Sequence, residues 1–265
     1  LDFNKEFCKE NNLYWHIMCG SPIRMMNLEE CTVGKDKDCD FSSVQEGLDS
    51  VMEGGTVHVK TGIYKEHLVF EKSLKLIGCA DSVKDKASKD LPIIVLDSEK
   101  FCDLKVPVEI EGLCFTNDEE IDFSDMGDYE FDDADGGDYD EDYSLCCLRV
   151  ESDSVLKNIA VLGSASHGII FASGKAKAMN LFISQNDTDG IVCVNDAEPE
   201  ISNCEISHCY AGIDVVDKSS PVLTECLIKS RLCISENSKP RISNCEISEE
   251  YYDDKSNPMI PSDKG

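Results

Sequence analysis

The sequence has few basic residues for its length. Its 265 residues include 25 lysines and arginines against 53 aspartates and glutamates, a formal net charge of −28. Binding to nucleic acid requires a basic surface that neutralises phosphates, so we expect no nucleic-acid partner. Long apolar runs are also missing, and none approaches the ~18 residues of a membrane-spanning helix. We therefore expect no membrane partner either.

The chain contains 15 cysteines but lacks the marks of a disulfide framework or a zinc site. The count is odd, the chain is not small, and several cysteines recur at equivalent places in apolar segments, where a free thiol behaves as a small hydrophobe. There is no CxxC and no cysteine–histidine cluster with zinc spacing. We expect reduced thiols in an intracellular protein, cytoplasmic or nuclear, with no metal and no cofactor.

The negative charge is concentrated in one segment. Fourteen of the 53 acidic residues lie between Asp118 and Asp142, with no lysine or arginine among them. Residues 117–143 are therefore predicted to be an acidic, disordered insertion. It is either a site for a basic partner or a solvated loop without function. The residues proposed for a basic partner are Asp132, Asp133, Asp135, Asp138, Asp140, Glu141 and Asp142.

From about residue 145 to residue 248 the sequence repeats with a period of 22 residues. A glycine, the isoleucine after it, and a separate cysteine keep this step; the last cysteine interval is shortened to 19 residues. A fixed period of this kind is typical of a solenoid. The recurring residues are Gly168, Gly190 and Gly212; Ile169, Ile191 and Ile213; and Cys204, Cys226 and Cys245.

Each repeat carries short runs of alternating apolar residues, separated by glycine, asparagine, aspartate and serine, which indicates strands. Equivalent residues of a β-helix stack on successive coils about 4.8 Å apart. The isoleucines and cysteines are thus predicted to form interior ladders, and the glycines to occupy a tight corner. The predicted fold is all-β: a single-stranded right-handed parallel β-helix, about 22 residues per coil, with a short N-terminal capping helix.

The capping helix is predicted near the front of the chain. Ser43 and Glu46 have capping-box spacing, Val44 and Leu48 share one face, and the helix is expected to end at the glycine pair 54–55. It would cover the open end of the first coil.

The sequence divides into segments on these patterns. Residues 1–40 have no assigned structure and are either a cap or the end of a preceding domain. Residues 41–248 are the β-helix, and residues 249–265 are a C-terminal tail or the start of further coils. Because Leu1 is not a start methionine and the sequence stops after a full repeat, we expect a piece of a longer protein.

The run FSSVQEGLDSVMEGGTVHVKTGIYKEHLVFEKSLKLIG resembles the opening of pectin-lyase-like β-helix proteins. Its G-x-Y-x-E motif (Gly62, Tyr64, Glu66) is shared by pectin methylesterases and intracellular β-helix modules. The coil PEISNCEISHCYAGIDV resembles the β-helix region of F-box-only ubiquitin-ligase receptors. It is similar also to the spindle-associated group of the SHC SH2-domain-binding protein and nessun dorma. The resemblance covers residues 41–248 and implies a protein partner, with a spindle or midbody location for the second group. No F-box is visible; one could precede Leu1.

The catalytic motifs of carbohydrate-active β-helices are incomplete here. The segment 185–189 is only loosely like the Gln-Asp-Thr of pectin methylesterases, and their arginine–tryptophan motif has no counterpart. The fragments Asp187-Thr-Asp189-Gly190 and Ser166-His167-Gly168 resemble polygalacturonase motifs but occur in reversed order. His167 and Asp189 do align, each immediately before the repeated glycine, and are expected one coil apart. We predict no catalytic residues and no enzyme.

Two hypotheses remain. The first is a non-catalytic intracellular scaffold that presents a rigid β-helix face to a partner protein, as in a ubiquitin-ligase substrate receptor or a spindle and cytokinesis scaffold. The alternative is a carbohydrate-binding or carbohydrate-active β-helix whose partner is an oligosaccharide. Only 7% of residues are aromatic, which argues against sugar-stacking platforms.

Overall fold

The computed structural model describes residues 13–16, 21–24, 27–79, 91–97, 101–117, 145–235 and 237–248. These segments form a solenoid of about 8 turns with about 22 residues per turn, preceded by a small hairpin. The predicted class, a right-handed parallel β-helix with a short N-terminal helix, is confirmed.

The elements follow one another in short segments. The first are β1 (Leu13–His16), β2 (Ser21–Arg24), β3 (Leu28–Val33), α1 (Val44–Ser50), β4 (Val51–Val59), β5 (Gly62–Lys65), β6 (Lys75–Gly78), β7 (Pro92–Val95), β8 (Cys102–Leu104), β9 (Glu109–Glu111), β10 (Cys114–Thr116) and β11 (Cys146–Val150). Then come β12 (Val155–Lys157), β13 (Ala160–Leu162), β14 (His167–Phe171), β15 (Lys177–Met179), β16 (Phe182–Cys193), β17 (Glu200–Ser202), β18 (Glu205–Val215), β19 (Val222–Thr224), β20 (Leu227–Ile228), β21 (Arg231–Ile234), β22 (Arg241–Ser243) and β23 (Glu246–Ile247).

Three flat faces run along the solenoid, each formed by parallel strands from successive coils. Face 1 contains β3, β4, β6, β9, β12, β15, β17, β19 and β22. Face 2 contains β5, β7, β10, β13, β20, β23 and the first parts of β16 and β18. Face 3 contains β8, β11, β14, β21 and the last parts of β16 and β18. The two long strands bend between faces 2 and 3 and join them into one sheet.

Alternating apolar residues fill the interior because each strand points every second side chain inward. Ile169, Ile191 and Ile213 pair in register on face 3 and are fully buried, and Leu232 continues their ladder. Leu156, Ala178, Ile201 and Leu223 form the equivalent ladder of face 1 and are also fully buried. One continuous hydrophobic core therefore runs along the axis.

Asparagines form the corner between faces 1 and 2. Asn158, Asn180, Asn203 and Asn244 all have a φ of 50–56°, a left-handed conformation that asparagine tolerates better than most residues with a β-carbon. The side-chain amide of Asn180 donates to Asn158 Oδ1 at 3.1 Å, and that of Asn203 donates to Asn180 Oδ1 at 2.5 Å. The corner is thus held by an amide ladder as well as by backbone hydrogen bonds.

Helix α1 closes the N-terminal end of the core. Val44 and Leu48 are buried, and Gly47 lies so close to the first coil that a β-carbon there would meet Val33 Cγ2 at 2.7 Å. Strand β3, from the segment left without assigned structure, forms the first rung of face 1 beneath it. Within the described residues α1 is the one helix, and it is too short to span a membrane.

The helix is shorter than predicted. It ends at Ser50 rather than at the glycine pair, because Val51 already pairs with Leu28 and begins β4. Gly54 has a φ of 77° and Gly55 lies within the strand, where an added β-carbon would come within 2.9 Å of Val51 Cβ. Pairing with a distant strand therefore sets the helix boundary.

Glu66, the last residue of the G-x-Y-x-E motif, caps the N-terminus of α1. Its carboxylate accepts hydrogen bonds from the backbone N–H groups of Val44 and Gln45, each at 3.0 Å, and from Ser43 Oγ at 2.8 Å. Ser43 Oγ in turn accepts from the backbone N–H of Glu46 at 3.3 Å. The first turn of α1 is thus capped by a side chain from the next coil, and the negative charge suits a helix N-terminus.

Glu225 interrupts the asparagine corner with a φ of 56°, a conformation that costs a residue with a β-carbon about 1 kcal/mol. We expect Glu225→Asn to raise the free energy of unfolding by about 0.5–1 kcal/mol, because asparagine tolerates this conformation and can extend the amide ladder. Chemical denaturation would measure the change. Glu246→Asn, in an exposed extended strand, is the matched control, and equal or lower stability of the first variant would contradict the prediction.

Candidate functional site

His167 and Asp189 are in contact and buried on face 3. His167 begins β14 and Asp189 lies in β16, and the parallel register of these strands places the two residues at the same position of neighbouring coils. His167 Nδ1 is 3.0 Å from Asp189 Oδ2, and the same nitrogen is 2.9 Å from Thr188 Oγ1. The residues are only 6% and 8% exposed. The prediction that these two residues lie one coil apart is therefore consistent with the observed contact.

Other polar side chains extend this pair into a hydrogen-bonded network at the bend between faces 2 and 3. Asn186 is fully buried; its Oδ1 accepts from the backbone N–H of Ser164 at 3.0 Å. Ser164 Oγ donates to the backbone carbonyl of His167 at 2.7 Å and lies 3.2 Å from Asn117 Oδ1. Buried polar groups stabilise a fold only when they are paired, and these groups are.

An imidazole held by a carboxylate is half of the arrangement that activates a serine or cysteine nucleophile. The nucleophile in such a triad contacts the ring nitrogen opposite the carboxylate. Thr188 does not meet this requirement, because its hydroxyl shares Nδ1 with Asp189. His167 has the chemistry of a general base, and Asp189 that of the carboxylate that orients it. The burial of both residues favours a structural role.

Two cysteines adjoin this network. Cys146 lies on the coil before that of His167 and is its partner in register. Cys147 Sγ donates to Asn117 Oδ1 at 3.1 Å. Burial raises the pKa of Cys146 well above that of a free thiol, and it raises the pKa of Cys147 to about 12. Both side chains are therefore neutral thiols at physiological pH, which argues against a nucleophilic role.

The repeated glycines stack just beyond the bend between faces 2 and 3. Gly168, Gly190 and Gly212 lie within β14, β16 and β18, and none of them has a left-handed φ. A β-carbon on Gly168 would meet the carbonyl oxygen of Gly190 at 2.6 Å, and one on Gly190 would meet that of Gly212 at 2.8 Å. Close approach between coils, rather than a tight turn, therefore requires glycine here.

The cysteines of the predicted core ladder follow the asparagine corner. Cys204 and Cys226 are buried in the interior, whereas Cys245, on the last described coil, is half-exposed. The thirteen cysteines within the described residues are all free thiols.

Face 1 carries two rows of outward-facing residues that are not among the predicted site residues. Row A contains Thr56, Lys75, Glu109, Val155, Lys177, Glu200, Val222 and Arg241. Row B contains His58, Ile77, Glu111, Lys157, Met179, Ser202, Thr224 and Ser243. Every residue in both rows is exposed or half-buried. They could have been found by taking the residues on either side of the interior ladder.

Charges alternate along these rows and neutralise one another. Lys75 Nζ is 2.7 Å from Glu109 Oε2, Lys157 Nζ is 2.7 Å from Glu111 Oε1, and Lys177 Nζ is 3.5 Å from Glu200 Oε2. The rows hold four basic and three acidic residues, although the whole chain has a net charge of −28. Face 1 is therefore a nearly neutral strip on a strongly acidic protein.

The outer sides of faces 2 and 3 differ from face 1. Cys114 and Phe182 on face 2, and Ile170 and Val192 on face 3, lie outside the central core in two separate apolar clusters. All four are at most 2% exposed. The middle coils thus present an accessible outer surface on face 1, while these parts of faces 2 and 3 are closed to solvent.

Asp36, Asp38 and Cys39 are the one described group whose ligand atoms lie close enough to share a metal ion. Lys60 Nζ lies 3.6 Å from Asp36 Oδ2 and 3.3 Å from Asp38 Oδ2. The lysine already supplies the counter-charge, so this exposed group is explained as a surface ion-pair cluster. The acidic residues proposed for a basic partner, 132–142, lie outside the described residues.

The family model described as "Right handed beta helix region" matches residues 130–228. The match spans β11 to β20 and supports a right-handed parallel β-helix repeat protein. The chain matches no curated protein and no solved structure. This fold occurs in enzymes and in non-enzymes, so the fold alone does not determine the function.

We expect His167→Leu to lower the free energy of unfolding by about 1–3 kcal/mol, because it leaves the buried carboxylate of Asp189 without its ring partner. The double variant His167→Leu/Asp189→Leu should recover part of the loss, since neither polar group is then left unpaired. Urea denaturation of the two variants measures both effects. A single variant as stable as the original chain would contradict a structural role for the pair.

Proposed function

We propose that this protein is a non-catalytic, intracellular interaction scaffold that binds an extended segment of a partner protein along the outer surface of face 1. The observation that carries the proposal is the accessibility of rows A and B over the described solenoid, in contrast to the buried outer residues on the middle coils of faces 2 and 3. A surface that is both accessible and continuous is the natural place for an extended partner.

The dimensions of face 1 suit such a partner. Eight rungs from β4 to β22 at a spacing of about 4.8 Å give a strip roughly 34 Å long. An extended peptide advances about 3.3 Å per residue, so about ten residues would cover the strip. The strip is rigid because every rung is hydrogen-bonded to its neighbours, which lowers the entropy that binding would cost the scaffold.

The chemistry of the strip favours a partner segment of mixed composition. Val155, Met179 and Val222 provide apolar contact between the ion pairs of rows A and B, which resembles the apolar centre and polar rim of protein interfaces. The ion pairs are surface pairs and add little stability to the fold, so they can rearrange toward a partner at low cost. A strongly basic peptide would gain little here, because the strip itself is almost neutral.

The sequence resemblance suggests two forms of this function. One is the substrate-receptor part of a ubiquitin ligase, and the other is a scaffold of the spindle or of cytokinesis. Both are intracellular, in the cytoplasm or nucleus, and the many reduced thiols suit that setting. In both, the acidic insertion of residues 117–143 would provide a second, separate contact for a basic partner.

Charge reversal on face 1 should separate binding from folding. We expect the double variant Lys157→Glu/Lys177→Glu to reduce retention of the partner at least tenfold, because it places repelling carboxylates beside Glu111 and Glu200 in the strip. The immobilised full chain, exposed to cell lysate and analysed by quantitative mass spectrometry, measures this. Thermal unfolding should change by only a few degrees, since exposed pairs contribute little.

Lys229→Glu is the matched control for that experiment. Lys229 also forms a surface ion pair, with Nζ 3.3 Å from Glu205 Oε1, but it follows β20 on face 2. A protein kept by the original chain and by this control, and lost by the face 1 variant, supports the proposal. Equal retention by all three chains, or loss with the control alone, would overturn it.

The second candidate is a carbohydrate-active β-helix, and the His167–Asp189 pair is the observation that favours it. Against it, neither row of face 1 contains phenylalanine, tyrosine or tryptophan, the residues on which sugar rings stack. The pair itself is nearly closed to solvent, whereas a general base must reach its substrate.

We expect no release of reducing ends or methanol when the chain is incubated with pectin, polygalacturonate or galactan, because the pair lacks the access that catalysis needs. A reducing-end assay and a methanol assay measure this directly. Turnover by the original chain that disappears in Asp189→Asn, while the variant still folds, would favour the enzyme over the scaffold.

A further inference from the structure

A column of three thiols stands where the solenoid turns from face 1 to face 2. Cys204, Cys226 and Cys245 each precede a strand of face 2, and the register of those strands places them on successive coils. Each thiol turns back toward the carbonyl two residues earlier, at 3.2 Å from Ser202, 3.4 Å from Thr224 and 3.4 Å from Ser243. The three sulfur atoms therefore occupy equivalent positions along the axis.

Within this column Cys226 and Cys245 are in direct contact. The backbone N–H of Cys226 donates to Cys245 Sγ at 3.5 Å. Neighbouring coils stand about 4.8 Å apart, within the range of Cα separations that a disulfide spans. The Cα spacing of the two cysteines is therefore compatible with a disulfide.

Their exposure and acidity differ in a way that matters for reaction. Cys226 is 2% exposed, whereas Cys245 is half-exposed at the C-terminal end of the described solenoid. The neighbouring Cys204 side chain lowers the pKa of Cys226, and burial opposes this effect. Burial raises the pKa of Cys245. Cys245 is therefore the thiol that a small molecule can reach, and Cys226 is the buried thiol beside it.

We propose that Cys226 and Cys245 form a reversible disulfide when the protein meets a small dialkyl disulfide such as oxidised glutathione. Cys245 attacks the small disulfide first, and Cys226 is the resolving residue. The bond would join β19–β20 to β22–β23 across the last two described coils.

The chemistry balances in two exchange steps. The Cys245 thiolate attacks one sulfur of oxidised glutathione, forms a mixed disulfide and releases one glutathione thiolate. The Cys226 thiolate then attacks the Cys245 sulfur, forms the protein disulfide and releases the second glutathione. Two protein thiols are oxidised, one small disulfide is reduced to two thiols, and the two protons pass to the departing thiolates.

The disulfide would link the last rung of the described solenoid to the rung before it. Strand β23 is held to β20 by hydrogen bonds from the backbone N–H groups of Glu246 and Ser248, each 2.9 Å long, and its side chains are largely exposed. A covalent link beside these bonds suppresses opening of the last coil. The length of rigid surface on faces 1 and 2 would then depend on the thiol redox state.

The test is a peptide map of the full 265-residue chain after incubation with oxidised glutathione at pH 7.5, with free thiols alkylated before digestion. Trypsin places Cys226 in peptide 219–229 and Cys245 in peptide 242–255, and each peptide contains one cysteine. We expect these two peptides linked, and released by dithiothreitol. Cys193, buried with Phe171 and Val215 as its neighbours in register, should remain reduced and serves as the internal control.

A linked pair 219–229 and 242–255 that is absent from Cys245→Ser supports the proposal. Peptide 219–229 recovered fully reduced, linked to peptide 178–218, or linked to the Cys233 peptide 232–241 would overturn it.

Hydrogen exchange provides a second measurement on the folded chain. Oxidation should slow exchange of the Glu246 and Ser248 amides on the order of tenfold or more, because the link opposes opening of the last coil. The Val194 amide, bonded to the Phe171 carbonyl in the middle of the solenoid, should not change. Unchanged exchange at Glu246 and Ser248 in the oxidised protein would contradict the role of a fastener.

Discussion

The structure depends on one constraint, the in-register hydrogen bonding of each coil to the next. Once the backbone of one coil is placed, the parallel ladders on all three faces determine where every side chain of the next coil lies. Like residues then meet like residues, which produces the isoleucine ladder, the asparagine corner and the thiol column alike. Each ladder works because its members tolerate the same environment: aliphatic groups fill a dry interior, amides bond to amides, and asparagine accepts a left-handed backbone.

The same constraint makes the ends of the solenoid different from its middle. A coil in the middle is hydrogen-bonded on both sides, whereas an end coil offers unpaired backbone groups and an open core. At the N-terminal end α1 covers the core, and Glu66 from the neighbouring coil caps the helix. At the other end of the described residues Ile242 and Ile247 remain 41% and 45% exposed. The chemistry inferred for Cys226 and Cys245 lies at this less protected end.

Polar groups have two separate roles in this molecule. Inside the bend between faces 2 and 3, His167, Asp189 and Asn186 satisfy one another in a network that solvent hardly reaches. On face 1 the charged residues lie at the surface and pair along the axis, so that a strongly acidic protein presents a nearly neutral strip. Burial distinguishes the two: the first set stabilises the bend, and the second is available to a partner.

The sequence by itself determined the fold class, the coil length and the ladders at Ile169, Ile191 and Ile213, because a 22-residue period and a two-residue alternation are one-dimensional patterns that stacking carries directly into space. The repeat also placed His167 and Asp189 at equivalent positions of neighbouring coils. Tertiary structure alone decided the rest. The end of α1 depends on the distant pairing of Val51 with Leu28, and the glycine requirement depends on carbonyls of the next coil. The buried outer side chains on the middle coils of faces 2 and 3 depend on contacts between successive coils, and no local pattern encodes such contacts.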